Sequence, residues 1–183
     1  MRVVVGITGA SGVILGQRLV EELAKGGHEV HLVVSHGAEE VAKHEESLSF
    51  SKIKKLAKKT YDEHNLAAPI SSSSYKIDAM AVIPCSMKTL SGIANAYADN
   101  LITRAAENCL KMKWKLIVVP RDTPLSFPSI ENMKKLKQAG AIILPPNVAY
   151  YPKPKTIQDI TNFVVGKTLD ALGIRHGLYR KWG

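Results

Sequence analysis

Cysteine is scarce in this 183-residue chain, which contains only Cys85 and Cys109. Two thiols cannot build a disulfide framework, and without a CxxC spacing they match neither a zinc site nor a dithiol redox motif. Both residues are therefore predicted to be buried thiols.

Long apolar runs are also missing, and none approaches the roughly 20 residues that a membrane-spanning helix needs. The apolar start, residues 1–16, is interrupted by Thr8, Gly9 and Ser11 and has only Arg2 as a basic flank, so it fits a buried first strand better than a signal peptide. We therefore expect a soluble, cytoplasmic protein without membrane insertion.

Acidic residues are few, since 16 Asp and Glu accompany 25 Lys and Arg, for a formal net charge of +9. This balance favours an anionic partner, either nucleic acid or a small phosphate. The densest basic run, residues 52–59, lacks the interleaved aromatic residues of an RNA-binding face, so it is interpreted as a solvated helix face and no nucleic-acid partner is predicted. An Asp-rich motif that could hold magnesium on a diphosphate is absent from the sequence, and no metal is predicted.

Strand-like runs alternate with helical patterns along the chain, which is typical of a parallel sheet covered on both faces. The predicted strands are residues 2–8, 29–35, 79–85, 116–120 and 141–145. One helix follows the first strand, where Leu15, Leu19 and Leu23 share a face, and others span 89–98, 101–112, 130–139 and 157–172. The sequence predicts a single α/β domain, residues 1–183, with a Rossmann-like doubly wound sheet whose ligands lie beyond the carboxyl ends of the strands.

A glycine-rich turn, residues 6–12, joins the first predicted strand to its helix, where free backbone N–H groups and the helix dipole favour an anion. A dinucleotide site would carry an acid at the end of the second strand to bind a ribose hydroxyl. Ser35 occupies that position. The pattern therefore favours a mononucleotide over NAD, with simple tight packing as the alternative.

Ser86, Lys88 and Thr89 follow the third predicted strand at the start of a helix. Either hydroxyl could be a plain helix cap, but a cation beside free N–H groups favours an anion site. Arg121 follows the fourth strand at the same edge of the sheet. For this arginine, as for the other cations near the site, a surface-charge interpretation stays open.

Three other features bear on a site. Arg104 and Lys111 lie seven residues apart and therefore on one face of a helix. Residues 71–74 are four serines in a predicted loop, which is either a mobile flap or a plain connection. The tail, residues 175–183, carries Trp182 among other residues suited to contacts, and we predict that it packs on a neighbouring subunit.

Six segments, taken in order, resemble the UbiX-type flavin prenyltransferase family. They are residues 9–12, 84–90, 100–106, 119–124, 140–146 with Tyr150 and Tyr151, and 180–182. Each motif is weak alone, but six in unbroken order over residues 2–182 are specific. The resemblance implies a Rossmann-like flavoprotein that transfers a dimethylallyl group from dimethylallyl phosphate to reduced FMN, with bonds at N5 and C6 and without a metal.

The resemblance also implies partners. Prenylated FMN, the product, serves UbiD-type decarboxylases as cofactor. The chain is expected to form a homo-oligomer, a dodecamer by resemblance, with active sites shared between subunits.

Carried onto this sequence, the family pattern implies three groups of residues. The FMN contacts are Gly9, Ala10, Ser11, Ser35, Ser86, Met87, Lys88, Thr89 and Arg121. The prenyl donor meets Arg104, Lys111, Arg121, Tyr151, Lys167 and Trp182, drawn from more than one chain. The residues implied in catalysis are Ser11 and Glu45 for the C6 proton, Arg104 and Lys111 for the departing phosphate, and Asp122 as the phosphate's proton partner.

This sequence departs from the family's commonest pattern in three places. Asp122 stands where many members have Glu, Lys167 stands where many have Arg, and the loop near Ser71 is shorter than in some. Because lysine lacks the two-pronged hydrogen bonding of arginine, the preference between a monophosphate and a diphosphate donor stays open.

Two other functions stay open on the sequence alone. An FMN-dependent cysteine decarboxylase of the phosphopantothenoylcysteine type has this kind of sheet, and His36 and His44 are loose candidates for its base. A non-catalytic flavin carrier would use the same glycine-rich turn.

Overall fold

The structure, a computed structural model, describes residues 1–45 and 50–182. The strands are β1 (Arg2–Ile7), β2 (Glu29–Val34), β3 (Lys59–Tyr61), β4 (Ala79–Cys85), β5 (Lys115–Pro120) and β6 (Ile142–Ile143). The helices are α1 (Val13–Lys25), α2 (His36–His44), α3 (Phe50–Leu56), α4 (Met87–Ala94), α5 (Leu101–Met112), α6 (Phe127–Gln138) and α7 (Ile157–Leu172), with a 3₁₀ turn at Pro69–Ser71.

The six strands form one parallel sheet in the order β3-β2-β1-β4-β5-β6. Alternate residues of β1 enter two separate hydrophobic clusters: Val3 and Val5 pack with α1 and α7, whereas Val4 packs with α5 on the other face. Burial on both faces explains why the central strands are nearly continuous runs of Val, Ile and Ala. The predicted doubly wound α/β fold is confirmed.

Element bounds differ from the prediction where local polar contacts decide them. α4 begins at Met87 because the Ser86 side chain accepts from the Thr89 N–H, two residues before the predicted start. α6 begins at Phe127, after Ser126 caps it in the same way. The strand β3 and the helix α2 were not predicted, since β3 is a three-residue edge strand in a lysine-rich run and α2 has only two buried residues, Ala38 and Ala42.

The strand order reverses between β1 and β4, because β1 leads to β2 on one side while the chain returns through β4 on the other. Ligands of such sheets bind in the crevice outside the carboxyl ends of the strands at this reversal. The loops that follow β1, β2, β4 and β5 meet at that edge. Within the described part of the chain, no helix combines the length and the hydropathy needed to cross a membrane.

Candidate active site

Thr8 joins the carboxyl ends of β1 and β4. Its backbone N–H and its hydroxyl donate to the carbonyl oxygen of Pro84 at 3.2 and 2.8 Å, and its Oγ1 accepts from the backbone N–H of Ser86 at 2.8 Å. Thr8 is 2% exposed, so these bonds do not compete with water. They hold the glycine-rich turn beside the start of α4.

The loops after β1 and β2 touch through their backbones. The N–H of Ser35 donates to the carbonyl oxygen of Ile7 at 3.0 Å. A Cβ added to Gly9 would lie 2.9 Å from the carbonyl carbon of Gly37, a distance that real Cβ atoms do not show. Gly9 is therefore required by close packing as well as being a predicted FMN contact.

Three helices, α1, α2 and α4, begin at this edge. Ser35 and Ser86 are the N-caps of α2 and α4, and their side chains accept from the N–H groups of Ala38 and Thr89 at 3.1 and 3.3 Å. The cap interpretation is thus confirmed for Ser86, whereas the capping role of Ser35 was not predicted. Capping is compatible with an anion site, because the positive ends of both helices lie at this edge. The N–H of His36, in the first turn of α2, already donates to Glu63 Oε1 at 2.6 Å.

Glu45 lies at the start of α1. Its two carboxylate oxygens accept from the backbone N–H groups of Gly12 at 2.6 Å and Val13 at 3.1 Å. A carboxylate at a helix N-terminus is stabilised by the helix dipole. Because Ser11 directly precedes Gly12, the structure brings together Glu45 and the serine predicted to act with it.

The cations predicted at this edge are exposed. Lys88 forms a pair with Asp99, with 3.5 Å between Nζ and Oδ2. The backbone N–H of Arg121 donates to the carbonyl oxygen of Cys85 at 3.1 Å, which keeps the loop after β5 beside the start of α4. Arg121 and Asp122 line a cleft of about 360 Å³ that the loop after β6 closes on the other side.

Arg104 and Lys111 on α5 share the carboxylate of Glu107. Arg104 Nη1 donates to it at 3.1 Å, and Lys111 Nζ lies 3.6 Å away. Glu107 was not singled out from the sequence, although its spacing of three and four residues from the two cations is the pairing distance of a helix face. The Glu107 carboxylate thus holds the Arg104 and Lys111 side chains on the same side of α5.

The serine loop packs on the same helix. The carbonyl oxygen of Ser71 accepts from Arg104 Nε at 3.2 Å and from Asn108 Nδ2 at 2.9 Å. The beginning of the loop is therefore attached to α5. For residues 72–74, the mobile flap and the plain connection both stay open.

Tyr151, Lys167 and Trp182 lie together on the opposite face of the sheet, around α7. The ring centroids of Tyr151 and Trp182 are 5.3 Å apart in an edge-to-face arrangement. The carboxyl-terminal segment reaches this point by packing on α7 of its own chain, with Tyr179 against Phe163 at 4.9 Å. Its contact with a neighbouring subunit stays a prediction, and Gly183 lies outside the described residues.

The predicted donor ligands therefore fall into two groups that one chain does not bring together. α5, which carries Arg104 and Lys111, packs on the face of the sheet where Leu101 and Ile102 are buried. α7, which carries Lys167, packs on the other face, where Val165 is buried. The sheet stands between them.

The two thiols are buried, as predicted. Burial raises the pKa of Cys109 to about 12 and raises that of Cys85 further. Neither is a reactive thiolate at neutral pH. Within residues 1–45 and 50–182, no group of three or more His, Cys, Asp or Glu side chains is arranged to hold a metal ion.

The fold is that of a flavoprotein, since the family model described as Flavoprotein matches residues 1–169. A flavin prenyltransferase UbiX from Methanocaldococcus jannaschii is 49% identical over 183 residues, covering 100% of this chain and 99% of the relative. This chain belongs to the UbiX-type flavin prenyltransferase family.

Two solved structures superpose on the chain with a TM-score of 0.97. One is a dodecameric FMN-dependent UbiX-like decarboxylase from Escherichia coli O157:H7, 42% identical, with 100% of both chains covered. The other is AnUbiX in complex with FMN and dimethylallyl pyrophosphate, 40% identical, covering 100% of this chain and 97% of that one. The FMN-dependent cysteine decarboxylase TvaF is only 15% identical at a TM-score of 0.69, a likeness of fold alone.

Proposed function

We propose that this protein transfers a dimethylallyl group from a dimethylallyl phosphate to reduced FMN, forming bonds at flavin N5 and C6. The observation that carries the proposal is the full-length similarity to AnUbiX, which was solved with FMN and dimethylallyl pyrophosphate. The edge formed by the starts of α2 and α4 supports it, because converging helix N-termini suit the phosphate of a mononucleotide.

The flavin would bind along this edge. The N-caps Ser35 and Ser86 place their first-turn N–H groups around the phosphate, and Lys88 and Arg121 supply cations. Met87 and Thr89, in the first turn of α4, and residues 9–11, in the glycine-rich turn, complete the predicted contacts. The Cβ of Ala10 is buried, whereas Ser11 is exposed toward solvent.

The leaving phosphate requires the strongest stabilisation. When the allylic C–O bond breaks, its electron pair leaves with the phosphate, and negative charge grows on the phosphate oxygens. A preorganised donor at such a charge is worth about 3 to 4 kcal/mol, whereas an aromatic face beside a cation is worth about 0.5 to 2 kcal/mol. We therefore assign the larger share of the rate to Arg104, Lys111 and Lys167, with Asp122 as proton partner of the phosphate and Tyr151 and Trp182 bordering the prenyl group.

Glu45 is assigned to the proton that leaves C6 when the second bond forms. A general base contributes typically 10²- to 10⁴-fold to such a step. The N–H groups of Gly12 and Val13 hold its carboxylate beside Ser11. This position supports the assignment over that of an ordinary surface carboxylate.

Subunit assembly would complete the site. Because α5 and α7 lie on opposite faces of the sheet, the two groups of donor ligands require contributions from different chains. The dodecameric state of the Escherichia coli O157:H7 relative supports this arrangement. We further propose that the product passes to a UbiD-type decarboxylase and that the protein is cytoplasmic.

The proposal is tested by mass and absorbance of the flavin. The full-length protein is incubated anaerobically with reduced FMN and either dimethylallyl monophosphate or diphosphate. We expect the recovered flavin to gain the mass of one prenyl unit and a changed absorbance spectrum, and the faster donor identifies the preferred ester.

Recovery of unmodified flavin with both donors would overturn the assignment. Release of carbon dioxide from a cysteine conjugate would instead indicate a cysteine decarboxylase. Tight flavin binding with neither reaction would indicate a carrier.

A further inference from the structure

Asp170 on α7 holds an unusual number of partners for a half-buried carboxylate. The hydroxyl of Tyr179 donates to its Oδ2 at 2.5 Å, and His176 Nε2 lies 3.1 Å from its Oδ1. The ammonium groups of Lys167 and Lys181 each lie 3.8 Å from the same carboxylate. Three of these four partners belong to the carboxyl-terminal segment, so Asp170 connects that segment to α7.

The backbone of α7 is shaped for this contact. A Cβ added to Gly166 would lie 2.6 Å from the ring of Tyr179 and 2.8 Å from that of His176. Both rings therefore rest directly on the helix backbone at a position where only glycine fits. The hydroxyl of Tyr179 is thereby directed at Asp170, one turn further along the helix.

The protonation states maintain the same arrangement. Burial opposes ionisation of Asp170, but the hydrogen bonds from Tyr179 and His176 outweigh it and hold the pKa of the carboxyl below its usual value. Burial, together with the bond to Asp170, raises the pKa of the Tyr179 hydroxyl. The acceptor is thus charged and the donor protonated at neutral pH.

A series of ring contacts leads from Tyr179 to the predicted donor ligands. Tyr179 packs against Phe163 at 4.9 Å between centroids, Phe163 against Tyr151 at 5.9 Å, and Tyr151 against Trp182 at 5.3 Å. Lys167 Nζ lies 5.9 Å from the centroid of the Tyr179 ring. All three predicted donor ligands on this face are therefore connected to Asp170 and Tyr179 through ring contacts or charge contacts.

We propose that Asp170, acting through Tyr179, is a positioning residue that holds Lys167, Tyr151 and Trp182 in the arrangement that receives the prenyl donor. The proposal rests on the function proposed above for the same site. Lys167 is a flexible lysine and Trp182 is 82% exposed, so without a fixed partner both would have to be ordered when the donor binds. Ordering them beforehand lowers that entropic cost.

The first experiment separates donor binding from flavin binding. Asp170→Asn and Tyr179→Phe are compared in the full-length protein. Tyr179→Phe removes one hydroxyl and keeps the ring, so it tests the proposal even if Asp170→Asn impairs folding. We expect the donor KM to rise roughly tenfold, as for loss of one charged hydrogen bond, while the Kd of FMN changes by less than about threefold.

Glu131→Gln is the matched control. It removes a carboxylate that pairs with Lys134 at 3.7 Å across the same three-residue helical spacing, but on α6. The donor KM of this variant should equal that of the parent. An unchanged donor KM in both Asp170→Asn and Tyr179→Phe overturns the proposal, and so does a rise in KM matched by an equal loss of FMN affinity, which indicates a purely structural role.

A second experiment does not depend on turnover. The chain has two tryptophans, so a Trp114→Phe background leaves Trp182 as the only one. We expect Tyr179→Phe to change its emission before any donor is added, and to weaken the binding of dimethylallyl phosphate to protein loaded with oxidised FMN. If the parent binds the donor more tightly than Tyr179→Phe does but never modifies reduced flavin, the proposed reaction fails while the positioning role is upheld. Identical emission and donor affinity in parent and variant overturn the positioning role alone.

Discussion

The sheet edge predicted to bind flavin and the two helices predicted to bind the donor, α5 and α7, are built by different means. At the edge, Thr8 joins loops by hydrogen bonds to backbone groups, and Gly9 does so by backbone contact. On α5 and α7, Lys111 and Lys167 are about half exposed and are held by side-chain contacts, with carboxylates 3.6 and 3.8 Å away. Added side-chain volume should therefore impair the edge, which is built from backbone (the backbone-built region). Loss of a charge should impair α5 and α7, where side chains form the site (the side-chain-built region).

Glu45 offers the largest expected effect, because it is a charged side chain that two backbone N–H groups hold beside Ser11. For Glu45→Gln we expect formation of the ring-closed product to fall 10²- to 10⁴-fold, with flavin bonded at N5 alone accumulating. Mass spectrometry detects the added prenyl unit, and absorbance reports ring closure.

Glu39→Gln serves as control, since Glu39 lies on α2 and pairs with the exposed Lys54. It should close the ring at the parental rate. Unchanged ring closure in Glu45→Gln would remove Glu45 from the mechanism.

Lys111→Ala tests the side-chain-built region. Loss of a charged hydrogen-bond donor, about 1.5 to 3 kcal/mol, should raise the donor KM roughly ten- to a hundredfold and leave the Kd of FMN unchanged. Steady-state kinetics and flavin titration measure the two separately. Lys134→Ala on α6 is the control, and simultaneous loss of donor use and flavin binding would contradict the separation of the two regions.

Gly9→Ala tests the backbone-built region against Gly37→Ala. The two residues face each other, yet a Cβ on Gly9 would lie 2.9 Å from backbone, whereas one on Gly37 would lie at an ordinary 3.5 Å. We expect Gly9→Ala to destabilise the protein by about 1 to 3 kcal/mol and to weaken FMN binding, and Gly37→Ala to have a smaller effect on both. Urea unfolding measures the loss of stability, and flavin titration measures the loss of FMN affinity. Equal effects of Gly9→Ala and Gly37→Ala would contradict the prediction.

The buried thiols should show the smallest effect. Because the pKa of Cys109 is raised to about 12 by burial and that of Cys85 is raised further, native protein should not react with a thiol reagent at pH 8. Both thiols should react once the chain is unfolded. The folded state binds the thiol protons more tightly, so their contribution to stability is present below the ordinary thiol pKa, about 8.5, and declines as pH rises above it. Rapid labelling of native protein would show that the thiols are accessible.

Prediction from sequence succeeded where the signal is local. The Val-rich run of β1 and the leucine spacing of α1 reflect burial of one chain segment, and the capping role of Ser86 depends on residues three positions away. β3 was missed because an edge strand of three residues buries only Tyr61. The placement of Glu45 on the N–H groups of Gly12 and Val13 joins residues more than thirty positions apart, which no local pattern records.

The sequence by itself determined the α/β class, the glycine-rich turn and the family, because these depend on periodicity and on motifs that are contiguous in the chain. Only the tertiary structure decided that the predicted donor ligands stand on opposite faces of the sheet and that Asp170 contacts Lys167, one of these predicted ligands. The physical reason is that hydrogen bonds and ion pairs act over a few ångströms in space, whatever the separation of their partners along the chain.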